Sequence, residues 1–193
     1  MVFAVVADDV KAVNNLIGAG ADVHVYDEIP YSHDGMGTRN KAIVQALVTA
    51  GFKPAIQDLI SAASAGNSDV ASIVIRGGVA PNSRDRNGRP ALTVVAIQSR
   101  YTPQVLNGGH YPETANELIQ AGADVNARGP DGETALMCAA QSGQVQIVRA
   151  LLQAGADITL KDKNGRTAFD YGYASLFSFQ HSVLELLDPD RKL

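Results

Sequence analysis

Residues 131–161 read DGETALMCAAQSGQVQIVRALLQAGADITLK. The order of residue types predicts a helix, a short turn, a second helix and an exit stopped at Gly155. Leu136, Ala139 and Ala140 of the first helix, with Ile147, Val148, Leu151 and Leu152 of the second, are the expected core of this unit. The same order restarts at Asp162 with DKNGRTAFDYGYAS, and Thr134 to Thr167 and Gly122 to Gly155 are both steps of 33 residues. Self-similarity at that period predicts an all-α helical solenoid, because each helix pair is too small to bury its apolar stripe without a neighbour.

Working outward, the chain divides into five to six units of one expected domain, 1–193, with worn units at the N-terminus. Residues 1–24 form a partial unit, since VFAVVADDVKAVNNLIGAGADV aligns with LISAASAGNSDVASIVIRGGVAPN and places Gly20 over Gly78. Asp8 or Asp9 is the expected cap of its second helix, in which Val10, Val13, Leu16 and Ile17 share a face and which Gly18 and Gly20 end. In residues 25–51, KAIVQALVTAG predicts an outer helix up to Gly51. Pro30, Gly35 and Gly37 in the preceding VYDEIPYSHDGMGTRN break helices, so this half reads as an irregular loop in place of an inner helix. An insertion that adds one helix is the rival reading. Residues 52–84 predict helices near 56–65 and 69–76, the second capped by Ser68 or Asp69. Residues 85–128 carry an insertion within Arg100–Tyr111, after which Pro112 takes the first helical position. The units 129–161 and 162–193 follow, and Asp124 and Asp157 are expected to form turns through their side chains.

The last unit changes character. Tyr173 stands where Ala140 stands one unit earlier, and 169–179 holds five of the eleven aromatics. Two readings are open: a C-terminal cap with its rings turned inward, or an exposed apolar patch used for self-association or docking.

Composition narrows the function classes. A net charge of −4 makes no electrostatic case for nucleic acid or an anionic membrane, and no apolar run is long enough to span a bilayer. The single cysteine, Cys138, excludes an internal disulfide framework and suits a reducing compartment; with no signal-peptide pattern at the start, a cytoplasmic location is expected. Cys138 lies in the apolar middle of a helix and reads as buried and inert. His24, His33, His110 and His181 show no metal-ligand spacing, and DKNGRT at 162–167 fails as a calcium loop because its glycine comes early and no Glu follows. No cofactor or metal is expected, and the reading is non-catalytic.

GETALMCAA and GQVQIVRALLQAGADI resemble the ankyrin repeat family's G-x-T-P-L-H-x-A-A and G-H-x-x-I-V-x-x-L-L-x-x-G-A-D-V, most closely over 122–170. The resemblance implies a protein-interaction module whose loops project as fingers and, with the inner helices, form a concave binding face. Mapped by motif, the finger tips are Arg86, Asn87 and Arg89, then Pro130, Asp131 and Glu133, then Lys163, Asn164 and Arg166. Ile97, Gln98, Gln141, Ser142, Ala174 and Ser175 are the inner-helix positions beside them.

Arg84, Arg86, Arg89, Arg128, Lys161, Lys163 and Arg166 in these loops outnumber Asp85, Asp131, Glu133 and Asp162, a local balance of +3. That stripe suits a protein partner with an acidic surface. Tyr26 and Tyr31, with Asp27, Glu28, His33 and Asp34, mark a second candidate surface in the Tyr26–Asn40 loop. A homo-oligomeric scaffold using the aromatic end is the alternative function, and an enzyme with its site in the irregular loops is the alternative of another class.

Overall fold

The computed structural model describes residues 4–5, 7–22, 40–98, 110–174 and 180–188. Helices account for its regular structure: α1 (Val10–Gly18), α2 (Lys41–Thr49), α3 (Ile56–Ala65), α4 (Ser68–Arg76), α5 (Ala91–Gln98), α6 (Tyr111–Gln120), α7 (Ala135–Gln141), α8 (Val145–Gln153), α9 (Ala168–Tyr173) and α10 (Gln180–Leu187). Among the described residues the only β pairing is an isolated bridge between Arg84 and Pro90.

Packing sorts the helices into two layers. The inner layer runs α3, α5, α7, α9 and the outer one α1, α2, α4, α6, α8, α10, each helix against the next of its layer. Pairing across the layers joins α3 to α4, α5 to α6, α7 to α8 and α9 to α10. This is the solenoid that the 33-residue step predicts. Sequence explains which helix goes where. In α5 every residue from Ala91 to Ala96 is buried, as a helix covered by α3, α6 and α7 must be. In α8, Ile147, Val148 and Leu151 are buried while Gln146 and Arg149 are exposed, the one-faced pattern of an outer helix. Of the expected core, Leu152 alone is half-buried.

The helix ends follow local chemistry. Asp9 Oδ1 accepts the Ala12 N–H and caps α1, and Asn40 caps α2 in the same way. For α4 the cap is Asn67, whose Oδ1 accepts the Val70 N–H, one position before the expected Ser68 or Asp69. Asn is as good a cap, and starting at Ser68 adds one residue to the helix. Pro112 is the second rather than the first residue of α6.

Tyr111 anchors α6 against α3. Its hydroxyl donates to Ser64 O (3.1 Å), and the His110 N–H donates to Gly66 O (2.8 Å). Gly66 ends α3 at φ +63°, and a Cβ there would meet the Tyr111 ring at 3.0 Å, so both backbone and space require glycine.

The inward reading of the last rings fails for two of them. Tyr173 is 76% exposed and Phe169 38%, while Tyr171 is buried. Residues 25–39 of the expected irregular loop, residues 100–109 of the insertion expected within Arg100–Tyr111, and Phe177 and Phe179 lie outside the described residues, while Tyr111 is already the first residue of α6.

Candidate functional site

The loops before α5, α7 and α9 are three versions of one five-residue turn: DRNGR (85–89), GPDGE (129–133) and DKNGR (162–166). In each, the first N–H donates to the fifth carbonyl and the fourth N–H, a glycine's, to the first carbonyl. The first and third versions are locked by their own ion pair. Asp85 Oδ1 accepts the N–H groups of Asn87 and Arg89, and its Oδ2 takes Arg89 Nε and Nη2, each at 2.9 Å. Asp162 repeats this with Asn164 and Arg166 and also accepts the Tyr171 hydroxyl (2.9 Å), while the Arg166 guanidinium lies 4.5 Å from the Tyr171 ring centre. Burial alone would raise the Asp162 carboxyl, but the Arg166 and Tyr171 bonds outweigh it and hold it well below the usual carboxylate range. The Asp85 carboxyl is lowered by the same balance.

The middle turn inverts the pattern. Gly129 replaces the Asp and Glu133 replaces the Arg. The Glu133 carboxylate reaches back into the space that a side chain at position 129 would occupy, and it accepts the Asp131 N–H (2.8 Å). It thereby satisfies the N–H that Asp85 and Asp162 satisfy from the other side.

Two ladders tie the fingers together. Arg84 Nη1 donates to Gly88 O and, across to the next finger, Arg128 O (2.7 and 2.8 Å). Arg128 Nη1 likewise donates to Gly132 O and Lys161 O (3.2 and 2.6 Å). Asn82 Oδ1 accepts the Asp124 N–H and Asn126 Oδ1 the Asp157 N–H, at 2.7 and 2.8 Å. Asp124 and Asp157 close turns onto Asn126 and Thr159, as their placement after Gly-Ala predicts.

Between fingers and inner helices lies a groove of about 440 Å³. Asn87, Arg89, Asp131, Glu133, Asn164 and Arg166 all line it, together with Ile97, Pro130, Gln141 and Ser142 from the finger and inner-helix positions mapped by motif. Arg86 and Lys163 are exposed and do not line it. Tyr26 and Tyr31 lie outside the described residues.

Three features of the groove depart from the sequence reading. Glu133 is only 8% exposed, because it holds its own turn instead of projecting from a tip. Arg89 and Arg166 are spent on Asp85 and Asp162, and Arg84 and Arg128 on backbone carbonyls, so the basic stripe is in large part a set of internal braces. Tyr171 enters the groove wall, which the Tyr-rich last unit did not single out. Cys138 also lines the groove yet is 6% exposed, and burial beside the Glu133 charge pushes its thiol up to about 12, so it stays an unreactive thiol.

No group of three or more possible metal ligands occurs among the described residues, and no helix there is long and apolar enough to cross a membrane. Two stacked helical layers crowned by braced turns, with a groove beneath them, define a helical-repeat module. A family model described as Ankyrin repeats (3 copies) matches residues 104–192. The match, over 89 of the 193 residues, supports an ankyrin repeat family for that part of the chain, and ankyrin repeats are generally protein–protein interaction modules and typically not enzymes. No curated protein matches the chain.

Proposed function

We propose that this chain, as one repeat domain over 1–193, is a non-catalytic adaptor, inhibitor or immunity-type module that binds a partner protein in the groove between fingers and inner helices. The supporting observation is convergence: residues from three fingers and three inner helices line one groove of about 440 Å³. The braces beneath it keep that surface preorganised, which lowers the ordering cost of binding. The exposed tips Arg86 and Lys163 and the groove residues Asn87, Arg89, Asp131, Glu133, Asn164 and Arg166 are the proposed contact set. Arg86, Lys161 and Lys163 remain available to steer an acidic partner surface. The buried single cysteine suits a reducing, cytoplasmic setting.

Affinity capture from source lysate tests the reading, comparing wild type with Gln141→Arg, which fills the groove from a half-exposed position. A partner held by wild type and lost by the folded variant supports it. A partner held equally by both moves the interface away from the groove.

The exposed pair Phe169 and Tyr173, four residues apart on α9, favours a second reading, self-association through the C-terminal end. Light scattering at high concentration tests it: a monomeric mass sinks that reading.

A further inference from the structure

The sister turns each bring a cation to their carboxylate, and the middle turn does not. Arg89 pairs with Asp85 and Arg166 with Asp162, each at 2.9 Å. Asp131 and Glu133 have no Lys, Arg or His nitrogen within 4.0 Å among the described residues. Glu133 is more than nine-tenths buried, and the hydrogen bond its carboxylate accepts comes from the neutral Asp131 N–H. Buried carboxylates are ordinarily paired, since removing a charge from water is costly without a counter-charge.

Both residues line the groove, and so do the two arginines whose Nε and Nη2 atoms already donate to Asp85 and Asp162. Counting those two aspartates with the groove's own charges, two cations face four carboxylates. The interior of the groove is therefore acidic although the loops as a whole are basic.

We infer that the groove receives a cationic side chain, a lysine or arginine on an extended segment of a partner protein, seated on the carboxylates of Asp131 and Glu133. This rests on the groove being the protein-binding surface, and it replaces the acidic anchor expected from the loop composition with a basic one. The carboxamide of Gln141 on the groove wall supplies a further acceptor. The exposed cations Arg86, Lys161 and Lys163 then meet acidic residues flanking that anchor, so the whole segment has mixed charge.

The experiment is selection of a phage-displayed random-peptide library on the immobilised full chain. Winning peptides are then remade with each Lys replaced by norleucine and each Arg by citrulline, and binding is measured to wild type, Asp131→Asn and Glu133→Gln. Glu133→Gln keeps the oxygen that accepts the Asp131 N–H, so it removes charge without removing the brace. The expected result is enrichment of one basic position, with affinity falling at least about tenfold on neutralising either side, and no additive loss when both are neutralised. Peptides that lose binding with Gln141→Arg but carry no basic position, or are indifferent to Asp131→Asn and Glu133→Gln, overturn the inference and leave the groove reading standing. Peptides unaffected by Gln141→Arg, or no enrichment at all, overturn both.

Discussion

At the scale of single residues, the exchange at 129 and 133 is the most informative feature. Gly129 and Glu133 are exchanged together: an aspartate side chain at 129 would collide with the Glu133 carboxylate, and an arginine at 133 would leave the Asp131 N–H without its acceptor. Gly129 does not have a left-handed backbone, so aspartate is sterically allowed there once Glu133 is gone. Each single change, Gly129→Asp or Glu133→Arg, is expected to cost about 1–3 kcal/mol in urea unfolding. The double variant rebuilds the sister turns' Asp–Arg pair and recovers most of that loss, a coupling of about 1–2 kcal/mol.

Thr93 presents the opposite situation. Its buried Oγ1 has no partner among the described residues, so Thr93→Val is expected to raise stability by about 1 kcal/mol.

The titrating groups set both limbs of the pH profile. Asp162 has a depressed carboxyl pKa, so its stabilisation is complete above about pH 4, the unfolded value, and is lost as pH falls from there through the folded value. Cys138 and Tyr171 are both pushed up to about 12, the first by burial beside Glu133 and the second by burial beside Asp162. Their stabilisation is complete below their unfolded values, about 8.5 and about 10, and is lost as pH rises through about 12. Urea midpoints across pH should therefore fall on both sides of neutrality. Asp162→Asn should flatten the acid limb and Cys138→Ala the alkaline one.

At the scale of elements, each helix depends on neighbours in both directions. Leu151 is fully buried on α8, which packs on α6, α7 and α10. Leu151→Ala is expected to cost about 2–5 kcal/mol. Hydrogen exchange should accelerate most in α6, α7, α8 and α10, and least in α1 and α2, which make no direct packing with α8 in this arrangement. Capping gives a smaller, local effect. Thr167 Oγ1 accepts the Asp170 N–H while the Asp170 carboxylate accepts the Thr167 N–H, so Thr167→Ala should cost about 1 kcal/mol and fray α9 first.

The element scale also shows where sequence was legible. Periodicity located α3 at Ile56–Ala65 because a 3.6-residue stripe, three alanines and a terminal glycine all agree there. The cap of α4 was missed by one residue because Asn67, Ser68 and Asp69 are all good capping residues, and sequence does not rank them once the chain is folded.

At the scale of the molecule, neighbour-only packing makes the solenoid a frame on which the turns are displayed at a fixed spacing. The 33-residue step, the apolar faces and the turn glycines are local properties, and they determined the repeat fold and which loops become fingers. Six of the ten candidate binding residues meet in one groove because the step itself puts equivalent positions above one another.

What the arginines and carboxylates do was decided by tertiary structure. Composition counts Arg84, Arg89, Arg128 and Arg166 as a basic stripe. Folding instead places each within hydrogen-bonding distance of a carboxylate or a carbonyl, two of them on the neighbouring finger. It also buries Glu133, whose letter in the sequence reads as an exposed tip. Charge is a property of residues and can be summed along a chain, whereas the partner that satisfies each charge depends on distances between residues brought together only by stacking.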